Sequence, residues 1–301
     1  MLMTILLSLL LVLILSFSVV FAKDLVQTAK ENKFETETSF WKMGGLGFVA
    51  LFLDVLGIGS FNTITAFSKN FSLTQDKTLP GTLIVSTTIA GAVMAVVFVT
   101  TVEVDPTTLV IMLVSSSIGG YIGAGYVSKL PEKWVQFVMG LALAIVAFFV
   151  LLGQLNLIPV GGDAIGLYGW NLVIAGAVLF FLGALMTVGV GLFAPCMALV
   201  FAMGMSPDAA FPIMMTACAF LQPSASFKFI KSGAYDRKAS LAITIFGVIG
   251  ALISSLMVRS IPLYALKWVV FTVVSYTSIQ MFKSYGASKM KTEEKAFASV
   301  H

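Results

Sequence analysis

The chain has 301 residues, of which 58% are hydrophobic and 11% charged, and its mean hydropathy is +1.00. Soluble domains carry about 25% charged residues, so this much apolar surface has no place in a water-soluble core, and an all-α polytopic membrane protein is predicted. The formal charge of +4 is no argument for a nucleic-acid partner, because basic residues in such proteins mark the cytoplasmic side; two cysteines exclude a disulfide framework or zinc cluster, and the only histidine, His301, is the last residue.

Residues 2–22 form an uninterrupted apolar run. Val20-Phe21-Ala22 would suit signal peptidase, but the run is longer than a usual signal core, which favours a first membrane helix over a cleaved signal. Residues 23–42 carry four lysines and four acids and read as a polar linker without assigned fold. The first 38 residues are therefore an N-terminal helix or signal segment plus linker.

At Gly57-Ile58-Gly59-Ser60-Phe61 two glycines interrupt an apolar run that would otherwise continue as helix. The pattern returns 132 positions later as Gly189-Val190-Gly191-Leu192-Phe193, and at that offset Ala66 falls on Ala198, Asp76 on Asp208 and Pro80 on Pro212. Lys133-Trp134-Val135 lies over Lys267-Trp268-Val269 at an offset of 134. Two diverged copies of one unit are predicted, residues 39–155 and 156–285, followed by a polar tail at 286–301. In each copy a broken segment (41–70 and 169–204) precedes three spans of about twenty residues: 79–101, 107–128 and 134–153, then 209–228, 238–259 and 262–283.

If each broken segment enters and leaves by the same face, 16 of the 18 basic residues lie on one side, leaving Arg259 and Lys267 opposite. The copies are then inverted. The predicted fold is two inverted repeats, each a glycine-broken re-entrant helical hairpin plus three transmembrane helices, with one extra N-terminal apolar helix. Inverted repeats with discontinuous helices are the architecture of secondary transporters, whose sites lie near the midplane.

The glycine-broken segments, the Asp-containing turns and the prolines that follow resemble the TauE/SafE family of bacterial membrane permeases over residues 40–285. The resemblance rests on Gly57, Gly59, Pro80, Gly189, Gly191, Pro195 and Pro212. Copy one departs from the family pattern at Ser60 and Thr63, and copy two at Leu192 and Ile213-Met214. The resemblance implies transport of small sulfur-containing anions, such as sulfite, sulfoacetate and other sulfonates, across the bacterial inner membrane.

Asp54, three positions before Gly57, costs about 2.5–3.5 kcal/mol to insert if it sits at membrane depth. It is either an ion-coupling site for a proton or sodium ion or the cap of a half-helix, and the sequence weighs these evenly. Substrate-binding candidates are Gly57, Gly59, Ser60, Asn62 and Thr63 at the first break and Gly189 and Gly191 at the second, where half-helix amides could hold an anion. Ser86 and Gln222 are added as path-lining polar groups. For any single hydroxyl, bonding to the preceding helical turn is the commoner role.

No enzyme activity, cofactor or metal site is expected. The fifteen methionines read as membrane packing. Expected partners are the small anion, the coupling ion and the lipid bilayer, with homo-oligomerisation left open. The rival functions are a passive small-anion channel and a non-transporting membrane binding subunit.

Overall fold

In a computed structural model the apolar runs form ten helices among the described residues, which are 2–55, 59–99, 104–155, 157, 162–189, 191–257, 272, 275–276, 278–279 and 281–287. Gly57 and most of the expected last span, with Arg259, Lys267 and Trp268, lie outside them. In chain order the helices are α1 (Leu2–Lys30), α2 (Phe40–Val55), α3 (Ser60–Asn70), α4 (Leu79–Val99), α5 (Pro106–Val127), α6 (Glu132–Gln154), α7 (Gly169–Met186), α8 (Phe193–Ala202), α9 (Pro207–Ser232) and α10 (Arg237–Met257). Six of the ten are long and apolar enough to cross a membrane: α1, α4, α5, α7, α9 and α10.

Helix α1 continues eight residues into the stretch read as linker. No glycine or proline interrupts residues 2–30, and 29 residues at 1.5 Å each span about 44 Å, enough for hydrocarbon and headgroups together. Leu6, Leu10, Phe17 and Phe21 are buried on one stripe of α1, which packs on α9 and α4. Pro212, expected to open a helix, lies inside α9 together with Pro223.

The remaining linker is also ordered by specific bonds. Asp24 accepts from Tyr235 Oη at 2.5 Å and from Arg237 Nε at 2.8 Å. Glu35 accepts the backbone N–H groups of Arg237 and Lys238, each at 3.1 Å, and so satisfies the open first turn of α10. Thr38 donates to Asp236, whose backbone N–H donates to Thr82 Oγ1. Burial holds the Asp236 carboxyl above the ordinary carboxylate range, and the same carboxylate accepts from Ala239 N at 2.7 Å. One end of the molecule thus gathers the starts of α2, α4 and α10 and the ends of α1 and α9.

A second set of bonds gathers other helix ends. Asp105 caps α5 by accepting from Thr108 N at 2.8 Å, while its own N–H donates to Ile165 O at 2.9 Å. Leu167 N donates to Thr108 Oγ1, and Ser206 N donates to Ala164 O, each at 2.8 Å. These bonds bring together the starts of α5, α7 and α9.

Helix packing follows one exchange rule. Helix α2 lies on α10, and α7 lies on α5; α4 packs on α9, while α4 also meets α10 and α9 meets α5. Small residues permit the close approach. A Cβ on Gly119 of α5 would meet the Phe180 carbonyl of α7, one on Gly183 would meet the Ser116 carbonyl, and one on Gly123 would stand 2.8 Å from Ala184 Cα. Ser278 donates to Gly140 O at 2.7 Å, which ties the C-terminal segment to α6.

Gly119→Leu is expected to force α5 and α7 apart, at an overpacking cost of about 1–3 kcal/mol. A lower melting temperature, or loss of the monodisperse peak in detergent, is the measurement that checks it; an unchanged melting temperature would contradict the packing described.

Candidate functional site

Both interruptions are built around glycine in a left-handed conformation. Gly59, immediately before α3, has φ 86°, and Gly189, between α7 and α8, has φ 102°. A side chain at either position would strain the backbone, which is why the chain turns there.

The first break is closed by Asp54, in the last turn of α2. Its Oδ1 accepts from Ser60 N at 2.7 Å and its Oδ2 accepts from Ser60 Oγ at 2.8 Å. A carboxylate therefore sits on the first residue of α3, where orphan N–H groups and the helix dipole favour negative charge. Asn62 bridges the two breaks: its side-chain nitrogen lies 3.0 Å from where a Gly59 Cβ would stand and 3.5 Å from that of Gly191. Asn62 is 4% exposed and its Oδ1 has no hydrogen-bond partner.

A small cavity opens where the breaks meet. Asp54, Gly59, Ser60 and Phe61 line it from the first break, and Gly191 and Leu192 from the second. Gly91 and Met94 of α4, Met186 of α7, and Met214, Met215, Cys218 and Gln222 of α9 complete the wall. Its free volume is about 40 Å³, room for roughly three water centres. The wall lies near the middle of α4 and α9. Among the described residues it carries one carboxylate and no lysine, arginine or histidine.

Gln222 is 4% exposed and its Oε1 is also without a partner. Gly91 makes room for that amide, since a Cβ there would stand 2.5 Å from Oε1. Buried amides of this kind are normally satisfied, so the Asn62 and Gln222 oxygens have accepting capacity to spare.

Of the residues proposed from sequence, Asp54, Gly59, Ser60, Gly191 and Gln222 line the cavity, and Asn62 sits behind it between the glycines. Three others lie off the wall. Thr63 donates to Gly59 O at 3.2 Å, Ser86 donates to Leu83 O at 3.3 Å, and Gly189 faces Met139 and Leu83. Gly57 falls outside the described residues. Sequence reasoning missed Gly91 and the sulfur side chains. The density of Met and Cys at 186–218 was the available signal.

The cluster of apolar spans around an interrupted, partly polar centre defines a polytopic helical membrane protein with an internal cavity. The model of the family described as sulfite exporter TauE/SafE matches residues 1–150 and 172–300, and the chain belongs to that family of membrane transporters of sulfite and related sulfur anions, which are not enzymes. No curated protein and no solved structure matches the chain.

Asp54→Ala removes both bonds to Ser60 and is expected to destabilise the fold by about 0.5–2 kcal/mol, the usual cost of losing a helix cap. Asp54→Asn, which keeps an acceptor, should lose less. Thermal unfolding of the three proteins in one detergent checks the order; equal stability of wild type and Asp54→Ala would contradict the capping role.

Proposed function

We propose that the chain is a secondary transporter of a small sulfur-containing anion, sulfite or a short sulfonate such as sulfoacetate, working by alternating access between two inverted repeats. The repeats are residues 39–155 and 156–285. Their inversion is supported by the end bonds. The segment leading into α2 docks on the start of α10, and the segment leading into α7 docks on the start of α5. Helix α4 starts where α9 ends, at the Thr82–Asp236 bond. The pairs α2–α3 and α7–α8 each return to the end from which they began, α3 through the Lys69–Asp76 ion pair next to α4 and α8 through the Ser206–Ala164 bond. The end that holds Lys23, Lys69, Lys228 and Arg237 is assigned to the cytoplasm by the positive-inside rule, and the bacterial inner membrane is the location.

The observation that carries the reading is the cavity at the meeting of the two breaks, with the side-chain amides of Asn62 and Gln222 beside it, whose NH2 groups are donors of the kind an anion needs. Substrate would sit there, between Gly59, Ser60 and Gly191. The seat at the start of α3 is already taken by the protein's own anion, Asp54. Two negative charges in a low-dielectric site repel strongly. Neutralising Asp54 with a proton or sodium ion would release Ser60 N and Oγ for the substrate, and this competition is a coupling mechanism.

The test is uptake of labelled sulfite, sulfate and small sulfonates into proteoliposomes under imposed proton and sodium gradients. Saturable uptake that one gradient accelerates is expected, with Asp54→Asn transporting at a rate that no longer responds to it. Flux that rises linearly with concentration would establish a channel instead. Binding without flux would establish a binding subunit.

A further inference from the structure

Five sulfur atoms belong to residues on one small cavity wall, Met94, Met186, Met214, Met215 and Cys218, together with the carboxylate of Asp54. Nothing in the handling of a hydrated oxyanion calls for this lining. Thioether and thiolate donors are soft ligands that select soft ions, Cu(I) above all, whereas magnesium and calcium require oxygen. Among the described residues no three His, Cys, Asp or Glu side chains converge, so the borderline ions that depend on those groups lack a ligand set here.

One pair is in direct contact. The Cys218 thiol donates a weak hydrogen bond to Met186 Sδ, with the two sulfurs 3.9 Å apart. Two sulfurs each about 2.3 Å from a shared ion, with trigonal to tetrahedral angles between them, are about 3.8–4.0 Å apart. The pair spans α7 and α9, so the two sulfurs are positioned by separate helices. A second feature points into the same space: Gln222 Oε1 is buried, unpartnered and on the cavity wall.

We propose that this cavity binds one soft monovalent cation, Cu(I) or its analogue Ag(I), between Cys218 Sγ and Met186 Sδ. A third sulfur comes from Met94, Met214 or Met215, and Asp54 supplies countercharge. On binding, the Cys218 thiol gives up its proton to the buffer and its sulfur takes the cation; no electron is transferred. The cation shares the cavity assigned to the anion, but its readout, metal retention by the purified chain, does not depend on transport. If an anion is also carried, the cation would offset the Asp54 charge that opposes it.

The experiment titrates purified full-length protein in detergent with Cu(I) under anaerobic conditions, in competition with a chromogenic Cu(I) chelator. Wild type is expected to retain about one Cu(I) per chain, with Cys218→Ser and Met186→Leu each weakening retention by about 10-fold or more, the scale on which losing even a supporting partner is felt. Met186→Cys keeps a sulfur at the position and is expected to retain the ion, which separates loss of a ligand from loss of fold. Met203→Leu, remote from the cavity, should match wild type. Wild-type protein that surrenders all copper to the chelator overturns the proposal, as does a Cys218→Ser/Met186→Leu double variant that holds copper as tightly as wild type.

Discussion

A helix that stops in a dry interior leaves backbone groups with no water to satisfy them, and each such group costs several kcal/mol. The two bonds that Ser60 donates to Asp54 answer that constraint at the first break. They fix the start of α3 in the buried interior, and with α3 in place Asn62 reaches across to Gly191 of the second break. The cavity is what remains between the two stops. Its polar character comes from the requirement to terminate helices where termination is expensive.

The second break meets the same constraint differently. Gly189 N donates to Met186 O and Cys196 N to Leu192 O, both at 3.0 Å, so local turns bind backbone groups on either side of this break. Copy two has no acid at the position of Asp54, and its half-helix opens with Phe193, Ala194 and Pro195; Pro195 has no N–H to satisfy. The breaks share a glycine at positive φ and differ in charge: the first brings Asp54 to the cavity, while the sulfur side chains on its wall come from α4, α7 and α9.

Much of this was legible in the chain. The paired glycines located both breaks because positive φ leaves glycine as the unstrained choice, and the apolar run lengths placed α4, α5 and α6 within two or three residues of their observed ends. The full extent of α1 was not legible. Lys23 and Asp24 read as linker by charge, yet both are tolerable helix residues, and the partners that hold Asp24, Tyr235 and Arg237, lie more than two hundred positions away. Ser86, placed on a polar path from the sequence, instead donates to the carbonyl of Leu83 within its own helix, as Thr87 and Thr88 do to Leu83 and Ile84. The sulfur lining was hidden for a further reason: Met94, Met186 and Cys218 come from three helices, and only packing brings them to one wall.

The exchange of partners between the halves also governs how the protein can be made. Helix α2 finds its partner in α10, and Glu35 caps a turn at Lys238 that lies 203 positions ahead of it. At a synthesis rate of 5–20 residues per second this is a wait of about 10–40 s. Throughout it, Gly44 and Gly47 of α2, where a Cβ would run into Phe246 and Ile243 of α10, are without the helix they are shaped to meet. The contact between α2 and α10 closes only once nearly the whole chain has been made.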